Sequence, residues 1–425
     1  MFKCKPLAAA IIAILASQAH AADNSAEQDQ SGTGNIVEVT QTGGLDNISY
    51  QSQTGTDNDG MVTQTDATMS DAVQTQTGDL NLADIVQTST VQSEAIQLQD
   101  GDNNDASIVQ SDSTGASARQ YQAGSFNVAL TEQTAADLSN AVIDQDGNDN
   151  FAESIQTNTE LSVSEQRQIG NDNVSLVWQE GGARNDGMVN QEGNGNDASV
   201  YQMNVSDSVA TIDQIGDMQV ASVTQEGAEH SAVIESKGLQ NEAYIDQSGS
   251  LQTASIYQDG TSNSADIFQV GDNNTASTEQ TGNNNYAIVD QDGSLHTASL
   301  QQNGQFNEAY ITQEGTDHLI DFAQDGADNL LTVTQTGNGN ELTGSSYGDN
   351  NIVDVVQSGD LNVADIQQIY GSNNEVSLTQ TGQDNLAQVM QGGVGNQAML
   401  MQSGMGDSAI VSQMGSGNMA TVTQQ

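Results

Sequence analysis

A glutamine recurs every eleven residues through the middle of the chain. Between Gln247 and Gln335 this spacing divides 88 residues into eight equal steps. Each step also places Gly two residues after the Gln, usually Asn five after, Ala seven after, and mostly Ile or Val nine after, as between Gln258 and Gln269. Such strict self-similarity is typical of repeat proteins, whose neighbouring units stack and bury one continuous core.

The offsets within the repeat predict an extended chain with two different faces. Asn, Ala, Ile or Val, and the next Gln stand at offsets 5, 7, 9 and 11, so they share one face of a strand. Gly and its neighbours supply the turn before that strand. Charged residues fall at the opposite parity or in turns, as Glu279 and Asp290 do. One face is therefore expected to be dry and the other anionic.

The repeat has two forms, in residues 41–225 and 225–425. In the first part, glutamine steps of twelve and eleven alternate, so the unit is 23 residues, whereas the second part has almost only steps of eleven. The longer steps usually lack Gly and place Ser six residues before the next Gln, as at Ser70 and Ser93. No linker or change in composition separates the two parts, which predicts a single repeat domain.

Residues 1–21 are typical of a secretory signal peptide. Two lysines precede the apolar run Leu7–Ala16, and Ala19-His20-Ala21 provides the small-x-small cleavage pattern. The run is too short for a permanent transmembrane helix, and the only cysteine, Cys4, would leave with the signal. Residues 22–40 are polar and carry no evident periodicity, so we expect a flexible leader.

The composition is strongly acidic, with 57 acidic and 6 basic residues and a formal charge of -51. Few aromatics and high charge usually favour disorder, but a strict repeat can stack into a thin core. Nucleic acid is excluded as a partner because neutralising phosphates requires Lys and Arg. Diffuse screening by divalent cations between anionic faces is expected instead.

We predict an all-β, single-domain β-solenoid of stacked strand-turn-strand coils, with two facing parallel sheets and amyloid-like packing. The 34 steps between Gln41 and Gln424, taken two per coil, give about seventeen coils. Inward amides would hydrogen-bond between coils as ladders, and because an unpaired buried amide costs about 1–3 kcal/mol, the ladders would fix the register.

The residues expected to form these ladders are the inward Gln and Asn of well-defined repeats: Gln76, Asn81, Gln87, Gln145, Asn150, Gln156, Gln258, Asn263, Gln269, Asn274, Gln280, Asn285, Gln302, Asn307, Gln357, Asn362, Gln380 and Asn385. The expected core consists of the small and branched apolar residues between them: Ala83, Ile85, Ala254, Ile256, Ala265, Ile267, Ala287, Val289, Ala309 and Ile311.

A stack of coils has a strand edge at each end, and such edges pair with further chains unless proline, charge or a cap blocks them. The repeat continues to Gln424 with no proline after it. We therefore expect growth into fibrils by edge-to-edge stacking. The alternative is a monomeric extracellular solenoid that acts as an adhesin or binds a ligand, which would favour a regular outer array and a capped end.

No catalytic, cofactor or metal site is indicated. His230, His296 and His318 each stand five residues after a marker Gln or its equivalent, which is the Asn slot, and His tolerates left-handed turn geometry. Asp-rich turns such as 146–150 lack the spacing of a calcium loop. An enzyme is therefore not expected. One further hypothesis is that the four cations of the repeat region bridge acidic neighbours: Arg119, Arg167, Arg184 and Lys237.

The combined pattern S-x5-Q-x-G-x-x-N-x-A-x3-Q, seen from Ser70 to Gln87 and from Ser93 to Gln110, resembles the curlin repeat of bacterial curli subunits. The N-terminal half resembles the major fibre subunit and the C-terminal half the minor nucleating subunit. The resemblance implies a secreted functional amyloid, forming extracellular pilus-like fibres for biofilm and cell adhesion on a Gram-negative-type bacterium. It also implies three partners: the chain itself, other curli-type subunits, and an outer-membrane export channel that recognises residues 22–40.

Overall fold

In the computed structural model, which describes residues 23–425, strands β1 to β36 follow one another along the chain. The odd-numbered strands form sheet A: β1 (Ser25–Thr33), β3 (Ile48–Thr56), β5 (Asp71–Asp79), β7 (Glu94–Asp102), β9 (Ser117–Ser125), β11 (Asn140–Asn148), β13 (Val163–Asn171), β15 (Asp186–Asn194), β17 (Val209–Asp217), β19 (Ser231–Leu239), β21 (Thr253–Thr261), β23 (Thr275–Asn283), β25 (Thr297–Gln305), β27 (Leu319–Ala327), β29 (Glu341–Asp349), β31 (Val363–Ser372), β33 (Leu386–Val394) and β35 (Ser408–Ser416).

The even-numbered strands form sheet B: β2 (Ile36–Thr42), β4 (Asp59–Thr65), β6 (Leu82–Thr88), β8 (Asp105–Ser111), β10 (Val128–Thr134), β12 (Phe151–Thr157), β14 (Val174–Ala183), β16 (Asp197–Ser206), β18 (Val220–Ala228), β20 (Glu242–Ser250), β22 (Ser264–Asp272), β24 (Tyr286–Ser294), β26 (Glu308–Thr316), β28 (Leu330–Asn338), β30 (Ile352–Asp360), β32 (Glu375–Gln383), β34 (Gln397–Gln402) and β36 (Met419–Gln424). Residues 23–425 include no helix that is long and apolar enough to cross a membrane.

Each strand pairs in parallel with the strand two places later, so the chain advances one layer per coil. In sheet A, for example, Thr253 of β21 lies opposite Thr275 of β23, and Gln258 lies opposite Gln280. Both sheets have 18 strands. The predicted all-β solenoid with two parallel sheets is thus confirmed, with one coil more than the seventeen that the glutamine count gave.

The additional coil is made by residues that we expected to be a flexible leader. Instead, residues 25–42 contain the strands β1 and β2, which pair with β3 and β4. Gln30 and Gln41 are eleven residues apart and enclose Gly32 and Asn35, as in the other repeats. Val37 stands where most repeats have Ala, so the sequence pattern alone did not identify this repeat. The predicted signal peptide lies outside the described residues, and a role of residues 22–40 in export stays a prediction.

Burial alternates along the strands. In β22, Ala265, Ile267 and Gln269 are buried, whereas Asp266 and Phe268 point away from the core. From Val177 to Val411 the buried apolar side chains form one continuous cluster. Nearer the N-terminus the apolar clusters are smaller because glutamines take the Ile slot of sheet A: Gln51, Gln74, Gln97 and Gln120.

The two forms of the repeat correspond to two kinds of turn. In an eleven-residue step, a Gly with a large positive φ, such as Gly260 at 142°, is followed two residues later by a left-handed residue, here Ser262. In a twelve-residue step, two left-handed residues three apart replace the Gly, as at Asp66 and Met69, both with φ of 52°. A Cβ on Gly260 would lie 1.8 Å from the carbonyl oxygen of Gly282 in the next coil, so the stacking itself requires glycine there.

We expect Gly260→Asn to lower the free energy of unfolding by at least about 2 kcal/mol, because the new side chain would both strain the backbone and overlap the next coil. The measurement is the denaturant midpoint followed by circular dichroism. The matched control is Gly395→Asn: Gly395 has φ of 67° and open space around an added Cβ, and Asn tolerates that left-handed geometry. Equal losses in the two variants would contradict the stacking explanation.

Candidate functional site

A column of glutamines runs through sheet B without a break from Gln41 to Gln424. Each Nε2 donates to the Oε1 of the glutamine in the next coil at 2.7–3.0 Å. The Nε2 of Gln269 also donates to the main-chain oxygen of Thr253, at 3.1 Å, which uses its second hydrogen. The column includes five of the expected ladder residues: Gln87, Gln156, Gln269, Gln357 and Gln380.

A second column runs through sheet A and includes the other five expected glutamines: Gln76, Gln145, Gln258, Gln280 and Gln302. It is interrupted at Ser236 and Ser346, whose side chains are too short to accept from the preceding coil. Among the described residues, the Nε2 of Gln214 therefore donates only to a main-chain oxygen, that of Asp197 at 3.1 Å.

Asparagines form further columns at the two turns of each coil. Asn81, Asn150, Asn263, Asn285 and Asn307 lie at one turn, and the expected residues at the other are Asn274, Asn362 and Asn385. The main-chain N and the Nδ2 of Asn285 both donate to Asn263 Oδ1 at 3.1 Å, and Nδ2 also donates to Gly304 O at 3.2 Å. The asparagine side chains thus donate to both neighbouring coils. Their amide-to-amide bonds run toward the N-terminal end of the stack, whereas those of the glutamines run toward the C-terminal end.

The length of the asparagine side chain matters at these turns. Where glutamine takes the slot, at Gln219 and Gln252, its Oε1 is buried and makes no hydrogen bond within residues 23–425. A longer side chain moves the acceptor away from the next main-chain N–H, which leaves a buried polar atom without a partner. The slot therefore favours asparagine over the longer glutamine, although both side chains end in the same amide.

The expected core residues all lie between the sheets and are at most 1 % exposed: Ala83, Ile85, Ala254, Ile256, Ala265, Ile267, Ala287, Val289, Ala309 and Ile311.

In one pair of neighbouring coils, a large side chain in the Ile/Val slot lies next to a glycine in the same slot. Phe322, the largest buried side chain, lies in the coil before Gly344, and a Cβ on Gly344 would be 2.9 Å from the Phe322 ring. The ring therefore occupies the space that a branched residue at 344 would fill.

All three histidines lie in an asparagine column, and His296 and His318 reproduce the hydrogen bonds of asparagine, whereas the Nδ1 of His230 is buried without a partner among residues 23–425. The main-chain N of His318 donates to His296 Nδ1 at 3.3 Å, and that of Asn340 donates to His318 Nδ1 at 3.1 Å. Since Nδ1 accepts, the proton is on Nε2, which faces a main-chain oxygen four residues back. The two rings are stacked with their centroids 5.0 Å apart, and burial lowers the pKa of each imidazole.

No group of three or more His, Cys, Asp or Glu side chains converges within residues 23–425 in a way that could hold a metal ion. The cations lie on the outside of the solenoid. Arg119 pairs with Glu94 at 2.6 Å, Arg184 with Asp207 at 2.5 Å, and Lys237 with Glu235, whereas Arg167 donates to the amide oxygen of Asn190 at 3.3 Å. Three of the four cations thus contact acidic neighbours, and such exposed pairs contribute little to stability because water screens them.

The two terminal coils share much of their sequence. Within residues 23–425, the strands β1, β2, β35 and β36 each pair on one side only. Aligning 25–41 with 408–424 places identical residues at nine of seventeen positions, in the shared pattern SA-x3-Q-x-G-x-GN-x3-VTQ. The same alignment places Gln413 over Gln30 and Gln424 over Gln41.

The sequence profile of the curlin associated repeat matches nine segments: residues 182–216, 220–249, 252–281, 260–293, 271–304, 297–326, 348–382, 382–413 and 398–425. Together these cover just over half of the 425 residues. The chain belongs to the curlin repeat family. No curated protein matches its sequence. The curlin matches begin at residue 182, so the likeness of the preceding repeats to the major curli subunit stays a prediction.

Restoring the interrupted glutamine column should stabilise the curlin repeats. In Ser236→Gln, the new amide can accept from Gln214 and donate to Gln258, and one such bond contributes about 1 kcal/mol. We expect a higher denaturant midpoint than in the wild type. The control Ser255→Gln adds the same side chain on the outer face of sheet A, where it should change little. A lower midpoint for Ser236→Gln would contradict the ladder geometry.

The stacked histidines should make the stability of the fold dependent on pH. Burial lowers the pKa of His296 and His318 below about 6.5, the value of the unfolded chain. The unfolded chain therefore takes up protons first, and stability falls as the pH drops from about 6.5 toward the lower native values. We expect the double variant His296→Asn/His318→Asn to lose less stability than the wild type between pH 7 and 5, measured by denaturant unfolding. Parallel curves for the two proteins would refute this assignment.

Proposed function

We propose that this protein is a structural subunit of secreted, amyloid-like fibres of the curli type, which grow by edge-to-edge stacking of copies. The observation that carries the proposal is the match between the first and last coils. It allows one copy to continue the stack of another with the same register that neighbouring coils have within a chain. Membership of the curlin repeat family supports the same conclusion.

The hydrogen-bonding groups at the two ends complement each other. Within residues 23–425, Gln413 and Gln424 each use one Nε2 hydrogen on a main-chain oxygen and have no ladder acceptor beyond it. Gln30 and Gln41 donate into their own stack and have no ladder donor to their Oε1 atoms. Stacking the last coil of one copy on the first coil of another would join these donors to these acceptors.

The charges at the two ends are also compatible. The first coil carries three outward carboxylates, Glu27, Asp29 and Glu38, whereas residues 408–424 contain no Asp or Glu. Like charges directly opposite one another on paired strands are destabilising. Contact between a last coil and a first coil avoids such pairs, even though the whole chain has a charge of -51. Among the inward-facing residues of this alignment, one pair differs in polarity, because Val411 would lie over Gln28.

The biological setting follows from the family and from the predicted signal peptide. We place the fibres outside the cell, at the outer surface of a Gram-negative-type bacterium, with roles in biofilm matrix, adhesion and aggregation. Other curli-type subunits and an outer-membrane export channel are the proposed partners. The curlin repeat and the solenoid are structural, and we propose no catalytic activity.

A charge placed inside the last coil should block fibre growth. Val422 faces inward in β36 and aligns with Val39 of the first coil, so Val422→Lys would bury an ammonium group at the contact between copies. We expect the wild type to form long filaments in electron microscopy and the variant to remain as single rods. Thr423→Lys, which adds the same charge on the outer face, should still polymerise.

Two results would separate this proposal from its alternative. Filaments from Val422→Lys as abundant as those of the wild type would exclude stacking through the last coil. Isolated rods from the wild type under all salt and pH conditions would favour a monomeric solenoid that acts as an adhesin or binds a ligand.

A further inference from the structure

The outer face of sheet B has an unusual composition in strands β20 to β26. Carboxylates and aromatic rings lie next to one another there, both along and across the strands: Tyr244 lies opposite Asp266, and Phe268 lies between Asp246 and Asp290. We call this surface the carboxylate–aromatic face and define it by nine residues: Glu242, Tyr244, Asp246, Asp266, Phe268, Tyr286, Asp290, Glu308 and Tyr310.

The carboxylates of this face are incompletely satisfied. No Lys or Arg occurs between residues 238 and 425, and none of the chain's three ion pairs within the described residues involves this face. Burial raises the pKa of Asp246, Asp266 and Asp290. The Oδ1 of Asp266 is buried and makes no hydrogen bond within residues 23–425. A buried acceptor without a donor is costly, so a ligand that supplies donors would be favoured here.

A groove of about 280 Å³ lies where the face begins, between β18, β20 and β22. It is lined by Tyr244 and Phe268, by Asp246 and Asp266, and on one side by the hydroxyls of Ser222 and Thr224. The groove thus combines two aromatic rings with two carboxylates. This combination suits a group that carries positive charge on an aliphatic chain, since ammonium groups interact with both carboxylates and aromatic rings.

The protein contains one internal example of this recognition. On the outer face of sheet A, the ammonium of Lys237 pairs with Glu235 and lies 5.2 Å from the centroid of the Tyr257 ring. A carboxylate and a ring on neighbouring strands therefore hold an ammonium group in this solenoid. The carboxylate–aromatic face repeats that arrangement several times without a lysine of its own.

We infer that the carboxylate–aromatic face binds a linear aliphatic polyamine, whose ammonium groups lie between carboxylates and rings of successive strands. Neighbouring strands are about 4.8 Å apart, so an extended chain with several ammonium groups can contact carboxylates on several layers at once. A metal ion fits less well because aromatic rings are not its ligands and no three carboxylates converge. A second copy of this chain would bring like charges together.

The test is calorimetric titration of spermine into the purified full chain, with fibres and soluble chain titrated separately. Asp246→Asn/Asp266→Asn should weaken binding about tenfold or more, and Tyr244→Leu/Phe268→Leu should weaken it about threefold or more with the charge unchanged. The control Asp321→Asn/Asp365→Asn removes two carboxylates from sheet A that lack aromatic neighbours in register. It should change binding less than about twofold. Circular dichroism verifies that all variants retain the fold.

Three outcomes would overturn the inference. Equal weakening in the carboxylate variant and the sheet A control would mean that spermine only screens the overall charge. Unchanged binding in the aromatic variant would remove the rings from the site. Neither result bears on fibre formation, because the face is lateral to the stack and lies far from both terminal coils. A competition with magnesium chloride at equal ionic strength should leave most of the spermine bound, and full displacement would also overturn the site.

Discussion

The structure depends on one interaction, the hydrogen bond between buried side-chain amides of successive coils. An amide carries both donors and an acceptor, so identical neighbours satisfy each other only when they lie directly above one another. Apolar residues such as Ala and Ile would tolerate a shift of two residues between coils, which keeps them on the inner face, but the same shift would place each buried amide against an aliphatic side chain and leave it without a partner. Gln and Asn therefore determine the register, and the aliphatic residues supply most of the burial energy.

Because the strands must remain in register, differences in repeat length are absorbed in the turns. The change from 23-residue to 22-residue coils produces an irregularity between Met203 and Ser206, while Gln202 and Gln225 stay paired. The single longer step in the second part of the chain behaves in the same way. Its extra residue, Tyr370, is 91 % exposed and left-handed, and the pairing resumes at Gly371. The ladders thus constrain the strands but leave the turns free to vary.

The sequence predicted the features that depend on period and parity, and missed those that depend on three-dimensional compensation. The spacing from Gln258 to Gln269 was sufficient to predict strands, inward faces and parallel stacking. The spacing could not identify the first coil, since Val37 replaces the usual Ala of the repeat and the pattern becomes evident only from the pairing of β2 with β4. Nor could it anticipate Phe322 and Gly344, where a large residue in one coil compensates for a missing side chain in the next. Such compensation between neighbouring coils cannot be recognised from the sequence of one repeat alone.

The directions of the hydrogen bonds give the solenoid two chemically different ends. Glutamines donate toward the C-terminal coil and asparagines toward the N-terminal coil, as the pairs Gln402–Gln424 and Asn396–Asn418 show. The C-terminal end thus presents glutamine donors and asparagine acceptors, and the N-terminal end presents the reverse. A head-to-tail contact joins glutamine donors to glutamine acceptors, whereas two N-terminal ends would bring Glu27, Asp29 and Glu38 of both copies together. Head-to-tail contact is therefore the arrangement in which the glutamine and asparagine columns both continue across the junction, and a fibre built in this way is polar.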